Sequence, residues 1–437
     1  MDDNKLMNDV LGGGLRALTK LADSPLVERF GLHDRTRKLV YEGARRAAGA
    51  AQRFAPKSAG TSSEHSPKFD LSLSEEQQLM RDTLRRFADD VMQPAARQSD
   101  DSGAPPEGFL DTFAELGAIA MAVPEPLGGE AERASAVSQM LVAEDLARGD
   151  MGLAFAALSS LSFVNAVVHA GNEEQKALLL PPLVEGDGAS AAVALVEPHP
   201  FFDPHSLRTV AKRKGGELVI VGEKSMVAVA DQARRFLVAV DVPKVGPRFV
   251  VVERGADGLG VSRETAMGLG SAGLGRLSFN KVRVSEDAVL GGSAALEAQG
   301  RAKYDDAVNR GRVAWGAMAL GTSQAMLDYV IPYCNERIAF GEPISHRQAV
   351  AFMIANIAIE LESMRMLVYR AAARLDAGLP CEREAYLART LCADKAMEIG
   401  TNGVQLLGGA GFIKDHPVET WYRQLRSIGV MDGNLLV

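Results

Sequence analysis

The spacing of apolar residues changes twice along this chain of 437 residues, and those two changes limit its possible folds more than any other feature. From about Phe69 to Asp187 apolar side chains recur every three or four residues, as a helix with one buried face requires. Ser74, with Gln77 three residues on, forms a capping box ahead of Leu79, Met80, Leu84, Phe87 and Val91. Further helices are expected over Glu107 to Leu116, Ala134 to Arg148 and Glu173 to Val184, with Gly128-Gly129 and Gly171-Asn172 as breaks. From Ala191 the period shortens. Leu207 to Lys214, Glu217 to Val221, Arg235 to Val240, Arg248 to Val252 and Arg276 to Val284 are short, rich in Val and separated by Gly and Pro, which predicts a small β domain. Helical spacing returns near Leu296, where Val350, Ile354, Ile357, Leu361, Met364, Val368 and Leu375 mark a core-facing stripe. The pattern predicts a multi-domain α+β protein in four parts. These are a basic extension and linker (1–68), an N-terminal helical domain (69–190), a small middle β domain (191–292) and a C-terminal four-helix bundle (293–437).

A chain this long supports several cores, since single cores seldom grow past roughly 250 residues. Its net charge of −8 argues against general nucleic-acid binding. The charge is uneven: residues 1–68 carry twelve Lys and Arg against eight Asp and Glu. Within them, 29–57 hold eight basic residues and two acidic ones. A helix over Asp34 to Phe54 would gather Leu39, Val40, Ala44, Ala47 and Phe54 on one side, suited to an acidic membrane surface, a partner helix, or packing on its own protein. Lys57 to Pro67 reads as a flexible linker. Cys334, Cys381 and Cys392 lack metal-ligand spacing, so we expect inert thiols in a reducing compartment and no metal site. No run of about 18 apolar residues is uninterrupted, so no membrane span is expected, and the start lacks a secretory pattern. The expectation is a cytoplasmic protein, with 29–57 offering a peripheral contact to the inner membrane surface.

The stretch from Gln405 to Val437 carries the chemistry. Gly408 and Gly409 follow a helical run from Leu391 to Leu407 and leave backbone open to a ligand phosphate, or simply cap the helix. Pro417 ends any helix begun before it. Asp432 stands in an Asp-Gly pair, a strong turn signal. In sequence, Gln405, Gly408, Gly409, Gly411, Phe412, Pro417, Val418, Glu419, Arg423 and Gly433 resemble, without a gap, the C-terminal signature of the acyl-CoA dehydrogenase family. The order of segments over residues 69–437 is similar too.

The resemblance implies FAD-dependent α,β-dehydrogenation of an acyl-CoA thioester to the trans-2-enoyl-CoA, as in fatty acid β-oxidation. Asp432 falls where the family places its catalytic Glu, one methylene shorter. Gly311, beside Arg312, leaves the family's other base position empty. Arg337, Phe340 and Gly341 match the family's Arg-x-x-Phe-Gly, whose Arg meets the flavin pyrophosphate across a subunit interface. Gln405, Gly408 and Gly409 would complete the adenine and diphosphate side, and Asn434 replaces a Thr there. On the ring side Glu197, Pro198 and Asp203 are kept, but Val196, Phe201 and Phe202 replace Thr and Gly-Ser, and Met226-Val227-Ala228 replaces Trp-x-Thr. Backbone N–H groups at Val196 and Ala228 would then serve the ring. Implied partners are an acyl-CoA, a second copy in a homodimer or homotetramer, and an electron-transfer flavoprotein. The departures also leave open a non-catalytic member acting as partner subunit or acyl-CoA binder.

Overall fold

The computed structural model describes residues 72–131, 134–186, 190–297 and 299–432. The basic extension, with its expected helix and linker, lies outside the described residues, as do Gly433 and Asn434.

Helix α1 (Glu75–Phe87) begins at the capping box: Ser74 Oγ accepts from the Gln77 N–H and Gln77 Oε1 from the Ser74 N–H, each at 3.1 Å. Helices α2 (Gln93–Ser102), α3 (Phe109–Ala114) and α4 (Ala136–Gly149) follow. The sequence pattern did not show α5 (Met151–Ala170), which is long and apolar enough to cross a membrane, with mean hydropathy 1.8. Ser159, Ser162 and Asn165 interrupt its apolar run, so a search for uninterrupted residues passes over it. Within the protein 89% of its apolar window is buried, which makes it a core helix. Its N-cap is Asp150, fully inside: Oδ1 accepts from the Leu153 N–H at 2.8 Å and Ser271 Oγ at 2.5 Å, Oδ2 from Gln424 Nε2 at 2.5 Å. Helix α6 (Glu173–Leu179) opens on a second capping box, of Asn172 and Gln175.

The middle layer is a seven-stranded sheet of β1 (Ala191–Ala194), β2 (Val210–Lys214), β3 (Glu217–Val227), β4 (Arg235–Val242), β5 (Gly246–Glu253), β6 (Leu259–Arg263) and β7 (Gly275–Ser285). The Ala-rich β1 and the polar β6 carry no strand signal in the sequence, and β3 runs farther than expected. β1 pairs in parallel with Arg235 to Val238 of β4, and β2 meets the same strand at Asp241. The two therefore lie end to end along one edge of β4, and the chain between them must leave the sheet.

The C-terminal part holds α7 (Gln299–Glu336), a hairpin of β8 (Ile338–Ala339) and β9 (Glu342–Pro343), α8 (Gln348–Asp376), α9 (Glu382–Leu407) and α10 (Val418–Ser427). α7 packs against α4, α8 and α9, so the two helical domains share one core. On α8 the expected stripe holds: Ile357, Leu361, Met364, Val368 and Leu375 are buried, and Val350 and Ile354 partly so. A second apolar stripe, Phe352, Ile359 and Met366, was not read and stands exposed at seven-residue spacing. All three cysteines are buried and free, and burial pushes the Cys392 thiol up to about 12, as expected of inert thiols.

Candidate active site

Past α10 the N–H groups of Val430 and Met431 bond back to the Ser427 carbonyl, each at 2.9 Å, which turns the chain inward. Asp432 is then only 6% exposed, so it is an interior carboxylate and not a solvent turn. Its Oδ1 accepts from Arg312 Nε of α7 at 2.7 Å, and its Oδ2 accepts, at a longer 3.3 Å, from Arg312 Nη2. Arg389 Nε of α9 stands 3.0 Å from Oδ1. Both guanidinium groups thus crowd Oδ1, which leaves Oδ2 the freer oxygen. Sequence reasoning saw Arg312 only as the neighbour of Gly311 and missed Arg389, because nothing local couples positions so far apart.

The segment between β1 and β2 is the excursion that carries Val196 to Asp203. Glu197 closes it on itself: its carboxylate accepts from the backbone N–H of Arg208 at 2.7 Å and of Thr209 at 2.8 Å. Lys224 Nζ, with 0% side-chain exposure, sits 2.9 Å from Glu197 Oε1 and donates to the Leu195 carbonyl at 3.0 Å. Burial pushes the Glu197 carboxyl up, but the Lys224 ammonium and the two backbone N–H groups outweigh it and hold it below the ordinary value. Tyr304 of α7 donates to the Pro204 carbonyl at 2.6 Å and ties the loop to the helix that bears Arg312. Burial raises the Tyr304 hydroxyl well above its usual range, and the charges of Asp305, Glu197 and Asp432 push the same way, so the loop and the C-terminal carboxylate share one neighbourhood.

Val196 and Ala228 are buried at 4% and 1% exposure, and the Val196 carbonyl accepts from the Ser225 N–H at 2.9 Å. Strain collects around them. Phe201, Met226, Val229 and Leu269 all have φ between 43° and 63°, a region that side chains larger than glycine's seldom occupy. Phe202 packs on the core and edge-on to His199, whereas Phe201 projects at 98% exposure.

The remaining site residues lie elsewhere. Arg337 follows the end of α7, exposed, and Phe340-Gly341 form the hairpin tip with φ 56° and 88°, a two-residue turn in which glycine fits naturally. Phe340 is 95% exposed, with the Arg347 guanidinium 5.9 Å from its ring centre. Gln405 is exposed at the end of α9, and Gly408 caps that helix through its N–H on the Gln405 carbonyl. At 1.5 Å per residue, Arg337 lies about 37 Å along α7 from Arg312, and Gln405 about 24 Å along α9 from Arg389. Within one chain these residues and Asp432 do not form one site.

A flavin dinucleotide fits these residues unequally. No atom stands within 4 Å of a Cβ built on Gly408 or Gly409, so their backbone is open beside exposed Gln405. Among the described residues the Arg337 guanidinium has no ion-pair partner, as suits one that meets phosphate. At Val196 and Ala228 the side chains carry no polar atom, so only backbone can bond the ring there.

Comparison with known proteins agrees with this architecture. The N-terminal, middle and C-terminal domains of acyl-CoA dehydrogenase match residues 74–187, 192–282 and 298–435. The acyl-CoA dehydrogenase of Bacillus subtilis is 32% identical over 370 residues, covering 83% of this chain and 96% of the relative. The mitochondrial short/branched chain specific acyl-CoA dehydrogenase of Rattus norvegicus is 30% identical over 370 residues, covering 83% of each. The solved butyryl-CoA dehydrogenase of Megasphaera elsdenii superposes with TM-score 0.75 at 27% identity, over 82% of this chain and 95% of that one. A chain solved in work on the electron transferring flavoprotein of Acidaminococcus fermentans gives 0.75 at 29%, over 83% and 95%. On domain content, sequence and fold together, the chain belongs to the acyl-CoA dehydrogenase family.

Proposed function

We infer that this protein is an FAD-dependent acyl-CoA dehydrogenase, which converts an acyl-CoA thioester to its trans-2-enoyl-CoA. The observation that carries the reading is a carboxylate at the family's base position that is buried and held by Arg312 through both oxygens, tightly at Oδ1 and by a longer bond at Oδ2. FAD, when bound, supplies the hydride acceptor; Arg337, Gln405, Gly408 and Gly409 would hold its diphosphate and adenine, and backbone at Val196 and Ala228 its ring.

Asp432 is the group we assign to the α-proton. Acidifying a C–H beside a thioester still leaves a base that must work close by and out of water. Burial removes water here, and anchoring Oδ1 fixes the direction in which Oδ2 points. Asp432→Asn should lower turnover about 10²- to 10⁴-fold while leaving acyl-CoA binding in place, measured by steady-state turnover and calorimetric titration. Unchanged turnover would remove Asp432 from the chemistry.

The 24–37 Å separation along the helices, derived above from the helical rise, supports a homo-oligomer in which one copy's Arg337 and Gln405 complete the site of another. The exposed Phe340, Phe352 and Ile359 give such a contact its apolar surface. Reoxidation by an electron-transfer flavoprotein and a place in fatty acid oxidation accord with this chemistry.

A further inference from the structure

We propose that Trp315 of α7 ends the acyl pocket and donates its indole N–H to an uncharged oxygen, a hydroxyl or a carbonyl, near the end of a short acyl chain. The proposal rests on the dehydrogenase reading above and adds a substrate class to it. Trp315 stands three residues after Arg312, the residue that grips Asp432, and so shares its face of the helix. Helical side chains lean toward the N-terminus of their helix, which carries the indole back over the turn that holds Gly311, a residue with no side chain to compete for the space. Phe155 of α5 meets the indole edge-on, with ring centres 5.0 Å apart and planes at 60°. Trp315 is 1% and Phe155 2% exposed, so two rings close the space between α5 and α7.

The indole Nε1 is buried and has no hydrogen-bond partner among the described residues. Buried donors of this kind are rare, because each gives up the bond that water would have made. A substrate that brings an acceptor supplies the missing bond, and one without an acceptor leaves the donor unpaired. Three residues of helical rise put Trp315 about 4.5 Å along α7 from Arg312, so the acceptor belongs just past the two carbons that react, on the γ- or δ-carbon of the acyl chain. The packed rings bar a longer chain. An indole offers one neutral N–H, which satisfies a hydroxyl or carbonyl oxygen but gives a buried carboxylate no counter-charge. A polar group committed to an acceptor rejects the analogue lacking it more strongly than an apolar pocket rejects an extra methylene.

The test is calorimetric binding of 4-hydroxybutyryl-CoA and of pentanoyl-CoA, in which a methyl group replaces the hydroxyl, to the full-length holoprotein and to Trp315→Phe, which keeps an aromatic ring and removes the N–H. The unsubstituted protein should bind the hydroxy thioester about tenfold more tightly, and Trp315→Phe should erase that preference while holding pentanoyl-CoA within about twofold. Trp315→Ala should admit octanoyl-CoA, which the unsubstituted protein binds more weakly than pentanoyl-CoA. A second measurement leaves position 315 intact. The chain has two tryptophans, so Trp421→Phe makes Trp315 the sole indole, whose emission should shift to the red with 4-hydroxybutyryl-CoA and not with pentanoyl-CoA. Equal affinities for these two thioesters in the unsubstituted protein, an equal loss for both in Trp315→Phe, or an emission shift common to both overturns the proposal. Tighter binding of glutaryl-CoA than of 4-hydroxybutyryl-CoA overturns it as well, by naming an acidic tail. A protein that binds none of these thioesters overturns the dehydrogenase reading itself.

Discussion

Removing the Glu197 carboxylate would strand Lys224, whose side chain has no exposure to water. Breaking a buried pair in this way costs about 3–5 kcal/mol, so Glu197→Gln should lower the stability measured by urea unfolding by that amount at neutral pH. The pH dependence has a definite sign. The folded Glu197 carboxyl lies below its ordinary value of 4.5, so its contribution is complete above about pH 4.5 and fades as pH falls toward the folded value. The gap between wild type and Glu197→Gln should therefore narrow in acid. A gap that stays constant down to the onset of acid unfolding would contradict the pairing. Glu197 and Asp432 were legible because they hold fixed places in a sequence register. Lys224, Arg312 and Arg389 were not, because a partner 27 to 120 positions away leaves no local trace.

At the scale of elements, the capping box shows what local signals can fix. Ser74 and Gln77 satisfy each other's backbone N–H groups at the start of α1, and Ser74→Ala should cost about 0.5–2 kcal/mol by denaturant unfolding. A cost near zero would mean that packing alone sets that end. The β strands rich in Val were legible from alternation and punctuation, whereas β1 is four small residues held by parallel pairing to β4 and has no pattern of its own. α5 was missed for a different reason: it is buried on nearly every side, so it shows no amphipathic period to detect. On α8 the core-facing stripe was clear, and the second stripe was hidden within it. Replacing Phe352 and Ile359 together by Ser should convert an oligomer to monomers in light scattering, with helix content unchanged by circular dichroism. A mass in solution that the double substitution does not alter would separate this face from assembly.

Across the whole molecule, one buried carboxylate holds three parts together. Asp150 caps α5, accepts from Ser271 of the middle layer and from Gln424 of α10, and so fixes the middle layer against α5 and against the helix that leads to Asp432. The order of helices, sheet and helices was legible from the two changes of period. The division of the site was not, because only the lengths of α7 and α9 show that Arg337 and Gln405 stand far from Asp432 in the same chain. The measurement that tests the central claim most directly is the visible absorption of the purified protein during anaerobic titration with butyryl-CoA and longer acyl-CoA thioesters. The account predicts stoichiometric FAD that is bleached by at least one of them, and no bleaching in Asp432→Asn. A protein without flavin, or a flavin that stays oxidised with every thioester, would contradict it.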